Sequence, residues 1–143
     1  MNRILAAVTI AMPLGLLPAA VFAGETPAPE GAKAYIISPK DGATVKGPVK
    51  VLFGLEGMGV APAGVAKERT GHHHLLIDAE LSGDALSEPV PSDDMHRHFG
   101  GGQTEATIDL SPGTHTLQLV MGDANHIPHN PPIMSDKVTI TVE

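Results

Sequence analysis

Hydrophobic residues recur at every second position in several short runs of this chain, which is the period of a strand that buries one face. Val49, Val51, Phe53 and Leu55 alternate with Lys50, Leu52, Gly54 and Glu56. Ala106, Ile108 and Leu110 share one side of a run whose other side carries Glu105, Thr107 and Asp109. His115, Leu117, Leu119 and Met121 alternate with Thr114, Thr116, Gln118 and Val120, and Val138, Ile140 and Val142 alternate with threonines. Two further runs, 34–38 and 72–78, are short and mostly apolar. Turn formers such as Pro39 and Lys40-Asp41-Gly42 punctuate the runs, and no stretch has the spacing of an amphipathic helix. Six strands of this kind, with a seventh near Ala85–Val90 that Pro89 and Pro91 confine to an edge, predict an all-β fold. The expected architecture is an immunoglobulin-like antiparallel β-sandwich of about seven strands. Three longer connections, Gly57–Gly71, Asp84–Gln103 and Gly122–Asp136, are where function is expected on such a scaffold.

The start of the chain follows another pattern. Arg3 precedes a nearly uncharged apolar run, Ile4–Leu17, then Pro18 and the sequence Val21-Phe22-Ala23. This reads as a secretory signal peptide over 1–23, cleaved after Ala23, and it implies a periplasmic or secreted protein. The run is short and broken by Pro13, so no stable membrane span is expected after cleavage. Residues 24–32, with two prolines and two glutamates, are expected to be a flexible lead-in to a single domain over 33–143. A chain of 143 residues suits one core.

Composition narrows the chemistry. There is no Cys, which excludes disulfides, thiolate catalysis and cysteine-ligated metal sites. A formal charge of -7 and only four aromatic residues (three Phe, one Tyr) argue against nucleic acid as a partner. No catalytic-serine elbow, zinc-protease helix or phosphate-cradling loop is present, so a binding module fits better than an enzyme. Eight histidines against nine lysines and arginines make imidazole the residue type to follow.

His72 and His74 stand two apart in a strand and project to one face, with His73 on the other. His96 and His98 repeat the spacing in a loop beside Met95, and His126 and His129 lie in the third long loop. His73 and His115 read as structural. Neutral imidazole is the common nitrogen ligand of copper and zinc, and thioether adds preference for reduced copper. The expected ligands are therefore His72, His74, His96, His98, His126 and Met95, holding copper, with zinc as the alternative metal. Asp78, Asp93, Asp94 and Asp123 are candidates to orient ligating rings. The competing reading is a non-catalytic cell-envelope interaction domain, with an envelope protein as partner, in which the histidines brace the loops. A small metallohydrolase or oxidase is the third.

Ser38-Pro39-Lys40-Asp41-Gly42-Ala43-Thr44-Val45, leading into a Val-rich strand, resembles the opening of bacterial immunoglobulin-like modules. The blocks His72-His73-His74-Leu75-Leu76-Ile77-Asp78, His98-Phe99-Gly100-Gly101-Gly102-Gln103-Thr104-Glu105 and Gly113-Thr114-His115-Thr116-Leu117-Gln118-Leu119, with Asp123 and His126, resemble a family of small exported bacterial proteins catalogued as a domain of unknown function. That resemblance implies export and the sandwich fold, and brings no activity with it.

Overall fold

The alternating runs become strands that stack as two sheets, each turning its apolar side to the other. The structure, a computed structural model, describes residues 26–143, so the expected signal segment 1–23 lies outside the described residues. Among the described residues nine strands follow in chain order: β1 (Lys33–Ser38), β2 (Thr44–Val45), β3 (Val49–Glu56), β4 (Gly59–Val60), β5 (Thr70–Ile77), β6 (His96–His98), β7 (Glu105–Ile108), β8 (Gly113–Gly122) and β9 (Val138–Val142). One sheet has the order β1-β3-β7 and is antiparallel throughout. The other runs β2-β9-β8-β5, and both β4 and β6 pair with β5 along its remaining edge. The large pairings are antiparallel, as expected, while the two-residue strands β2 and β4 pair in parallel with β9 and β5.

Alternation sets the core. Ile36, Val51 and Phe53 of the first sheet meet Leu75, Ile77, Leu117, Leu119, Met121 and Ile140 of the second. Side chains of this size contribute about 1.5–3 kcal/mol each when fully buried. The second sheet is covered on its outer face as well. Leu76 and Val120 project there and form a smaller cluster with Leu81 and Val90, with Met134 packed against it. The long connections after β5 and β8 thus lie over the sheet, and seven of the eight β5 residues are buried.

Two expectations about the connections change. The segment near Ala85–Val90 is not a seventh strand; Gly83–Ser87 forms a 3-10 turn with no buried residue. Pro89 and Pro91 deprive it of N–H donors on either side of Val90, whose side chain docks into the outer cluster while its N–H donates to the His126 carbonyl at 2.9 Å. The connection 84–103 also contains β6, which the His-x-His spacing alone did not reveal as a strand. The described part of the lead-in is held in place. Ala28 N–H donates to Asn130 O, Asn130 N–H donates to Thr26 O, and the Thr26 hydroxyl donates to Asp123 at 2.6 Å. Among the described residues, no helix is long and apolar enough to cross a membrane.

Candidate metal centre

The period of β5 sends His72 and His74 to the outer face and His73 into the sandwich, where its ring packs 5.1 Å from that of Phe53. Strand register brings in the third histidine: β6 pairs with β5 so that His98 sits directly across from His74. The fourth arrives on the loop after β8. Asp123, itself buried, accepts N–H bonds from Asn125 (2.8 Å) and Ile127 (3.0 Å) on one oxygen and the Thr26 hydroxyl on the other. Its backbone carbonyl takes the His126 N–H at 3.0 Å. This turn holds His126 in the left-handed region, with φ 71°, which is uncommon for a residue other than glycine.

The four rings contact one another. Centroid separations are 4.8 Å for His72–His74, 5.0 Å for His72–His98, 5.1 Å for His72–His126, 5.1 Å for His74–His98 and 4.7 Å for His98–His126, with His74–His126 the widest at 6.1 Å. One nitrogen from each of His72, His98 and His126 lies within 4.8 Å of the other two, an arrangement able to hold a metal ion. Nitrogens on one tetrahedral ion with bonds of about 2.0–2.1 Å stand about 3.3 Å apart, so an ion held by all three would need their nitrogens to close by at most roughly 1.5 Å.

His72 and His74 are fully buried, and their Nε2 atoms face each other at 3.0 Å. A neutral imidazole has a single N–H. If one Nε2 donates to the other, the accepting ring keeps its hydrogen on Nδ1, and neither Nδ1 has a hydrogen-bond partner. His98 Nε2 is likewise buried and unpartnered. Burial, followed by repulsion from His98 and His126, pushes the His72 pKa down to about 4. Burial, then repulsion from His72, His98 and His126, pushes His74 down to about 3, and burial followed by repulsion from His126 lowers His98. These shifts favour the neutral form of His72, His74 and His98, the form that ligates metal.

Two glycines make the room. A Cβ on Gly122, which pairs with His72 across β5 and β8, would stand 2.8 Å from His74 Nε2 and 3.3 Å from His126 Cα. A Cβ on Gly100 would overlap the His98 ring. Neither glycine is signalled by the sequence pattern, where both fall in the long connections Asp84–Gln103 and Gly122–Asp136.

Of the six expected ligands, the structure gathers His72, His74, His98 and His126. His96 pairs opposite Leu76, two residues further along β5, and its Nδ1 is taken by Asp93 at 2.9 Å. Met95 is about half exposed. The expected carboxylate support is present, but at other rings. Asp93 holds His96, and Asp78 holds His115 Nδ1 at 2.6 Å, with the Ser111 carbonyl accepting at the other nitrogen. Asp123 shapes the loop backbone instead of touching a ring. His129 is buried with Nδ1 3.3 Å from the Met121 carbonyl. His73 lies in the core, where no hydrogen bond of ordinary length and angle reaches either nitrogen.

His98 also belongs to the wall of a groove of about 580 Å³ lined by Asp93, Asp94, His96, Arg97 and Asp109.

The fold is a two-sheet β-sandwich with imidazoles gathered under the loops of one outer face. The chain belongs to the family described as Domain of unknown function (DUF4399), which it matches over residues 51–143. The match includes all four clustered histidines. No curated protein and no solved structure matches the chain.

Proposed function

We propose that this chain is an exported cation-binding domain whose His72, His98 and His126 hold one copper ion, with zinc as the alternative metal. The observation that carries the reading is the mutual approach of three imidazole nitrogens within 4.8 Å in a site that leaves buried ring nitrogens unpartnered. A buried polar atom without a partner costs about 1–3 kcal/mol, and a cation at the common point would satisfy His98 Nε2. Imidazole-only donor sets suit copper and zinc, and copper binds more tightly at a given nitrogen site. An excess of acidic residues favours cations at the surface.

Bracing accounts for other histidines in the chain: His96 through Asp93, and His115 through Asp78 and Ser111. It does not account for four rings that mainly touch each other. Binding of Cu(I), Cu(II) and Zn(II) by isothermal calorimetry tests the reading. The expected result is one ion per chain with micromolar or tighter affinity, lost when His72 and His98 are both replaced by Ala. No heat of binding with any of the three metals overturns it.

A further inference from the structure

We propose, resting on the cation reading above, that His74 supplies the fourth nitrogen and closes the coordination sphere, so that the ion is held with no open position for a substrate. His74 Nε2 stands 3.0 Å from His72 Nε2, close to the spacing of about 3.3 Å expected for two nitrogens on one tetrahedral ion. No other polar atom claims the ring, because its Nδ1 is buried without a hydrogen-bond partner. The ring is also aimed by its surroundings. It lies across the strand pair from His98, 5.1 Å between centroids, and the missing side chain of Gly122 leaves the space into which Nε2 points.

Burial divides the group into two sides. His72 and His74 are fully buried and form its floor, whereas His98 and His126 are partly exposed and form the side facing solvent. A fourth ligand on the floor occupies the place that a catalytic site would leave to water or substrate. A closed set of four imidazoles in tetrahedral array suits a filled-shell cation, Cu(I) or Zn(II), better than Cu(II), which prefers tetragonal geometry. The chemistry assigned to the site is therefore the holding or transfer of an ion.

Co(II) is the probe, because its visible absorption reports coordination geometry and the entry of small anions. The native full chain loaded with Co(II) is expected to show a tetrahedral spectrum that azide leaves unchanged. His74→Ala is expected to bind Co(II) more weakly by more than about 100-fold, beyond what loss of a merely supporting contact costs. Its spectrum is expected to change with azide as the vacated position fills. His74→Gln, of closer size, is the second variant should the alanine form fail to fold, and the native azide titration stands without either. Native protein whose Co(II) spectrum shifts with azide, or a His74 variant with native affinity and spectrum, overturns the assignment of His74 while leaving the three-histidine site intact. Failure of the native protein to take up Co(II) at all overturns the cation site itself, and His74 with it.

Discussion

The eight histidines of this chain are placed by their surroundings into different roles. His73 is a core residue beside Phe53, and burial pushes its pKa down to about 4. His96 and His115 are tethered by carboxylates, and His129 lies against a backbone carbonyl. His72, His74, His98 and His126 have each other. Two glycines permit that contact, and the prediction at this scale concerns one of them. Gly122→Ala forces a methyl group against His74 Nε2 and the His126 backbone, with a cost of about 1–3 kcal/mol typical of overpacking. Its expected signature in calorimetry is a loss of metal affinity out of proportion to the loss of thermal stability. Gly47→Ala, whose new Cβ meets nothing closer than 3.7 Å, is the matched control and is expected to bind metal as the native protein does.

At the scale of the element, β5 carries the floor of the site, while β6 and the loop after β8 carry its rim. β5 and β6 are locked by register, but His126 depends on the turn that Asp123 organises. Asp123→Ala leaves the Asn125 and Ile127 N–H groups without their acceptor, and a hydrogen bond to a charged group contributes about 1.5–3 kcal/mol. The expected outcome is a lower melting temperature together with weaker metal binding. Replacing Asp93, which holds His96 outside the group, is expected to leave metal affinity unchanged. The Asp78–His115 pair joins the end of β5 to β8 and makes the fold sensitive to pH. The hydrogen bond to Asp78, then that to the Ser111 carbonyl, raises the His115 pKa above 6.5. That contribution is complete below pH 6.5 and fades as pH rises through the folded-state value. For Asp78, burial works to raise the pKa, but hydrogen bonds from the Thr116 N–H and His115 outweigh it and bring the value below 3.8. Its contribution is present above pH 3.8 and fades as pH falls through the folded value. The two overlap between pH 3.8 and 6.5. Denaturant melts of native protein and His115→Ala are therefore expected to differ more at about pH 5.5 than at about pH 9. An equal difference at both contradicts the assignment.

At the scale of the whole molecule, the candidate centre joins parts far apart in sequence. β5 and β6, the loop after β8 and the segment at 26–28 all meet around the outer face of one sheet. Ala63 N–H donates to Gly100 O, and Gly64 N–H to Ala124 O, so the 57–71 connection links the loops that carry His98 and His126. An ion bound there ties these pieces together only in the folded state. At a free concentration one hundred times the dissociation constant, linkage adds about 2.7 kcal/mol. For a domain of this size that corresponds to a rise in melting temperature of about 10 °C. The rise is expected with copper or zinc and is expected to vanish on addition of EDTA. An unchanged melting temperature with both metals favours the bracing role over binding.

Some of this is decided within a few residues of chain, and there the sequence alone suffices. Strand alternation is local, so the buried sides of β3, β7, β8 and β9, and the opposite directions of His72/His74 and His73, are legible in the order of residues. The absence of Cys restricts any metal site to nitrogen, oxygen and thioether donors without reference to a fold. Which second pair joins His72 and His74 is not local. His96 and His98 have the same spacing and the same neighbours in sequence, but strand register sets His98 opposite His74 and His96 opposite Leu76, within reach of Asp93. His126 and His129 share a loop, and only the left-handed turn made by Asp123 and the N–H of Val90 separates a ring in the group from one packed under β8. Gly100 and Gly122 acquire their meaning from side chains that approach them across strands and loops. Pairing between distant segments is a property of the packed chain, and it was tertiary structure that chose four imidazoles out of eight.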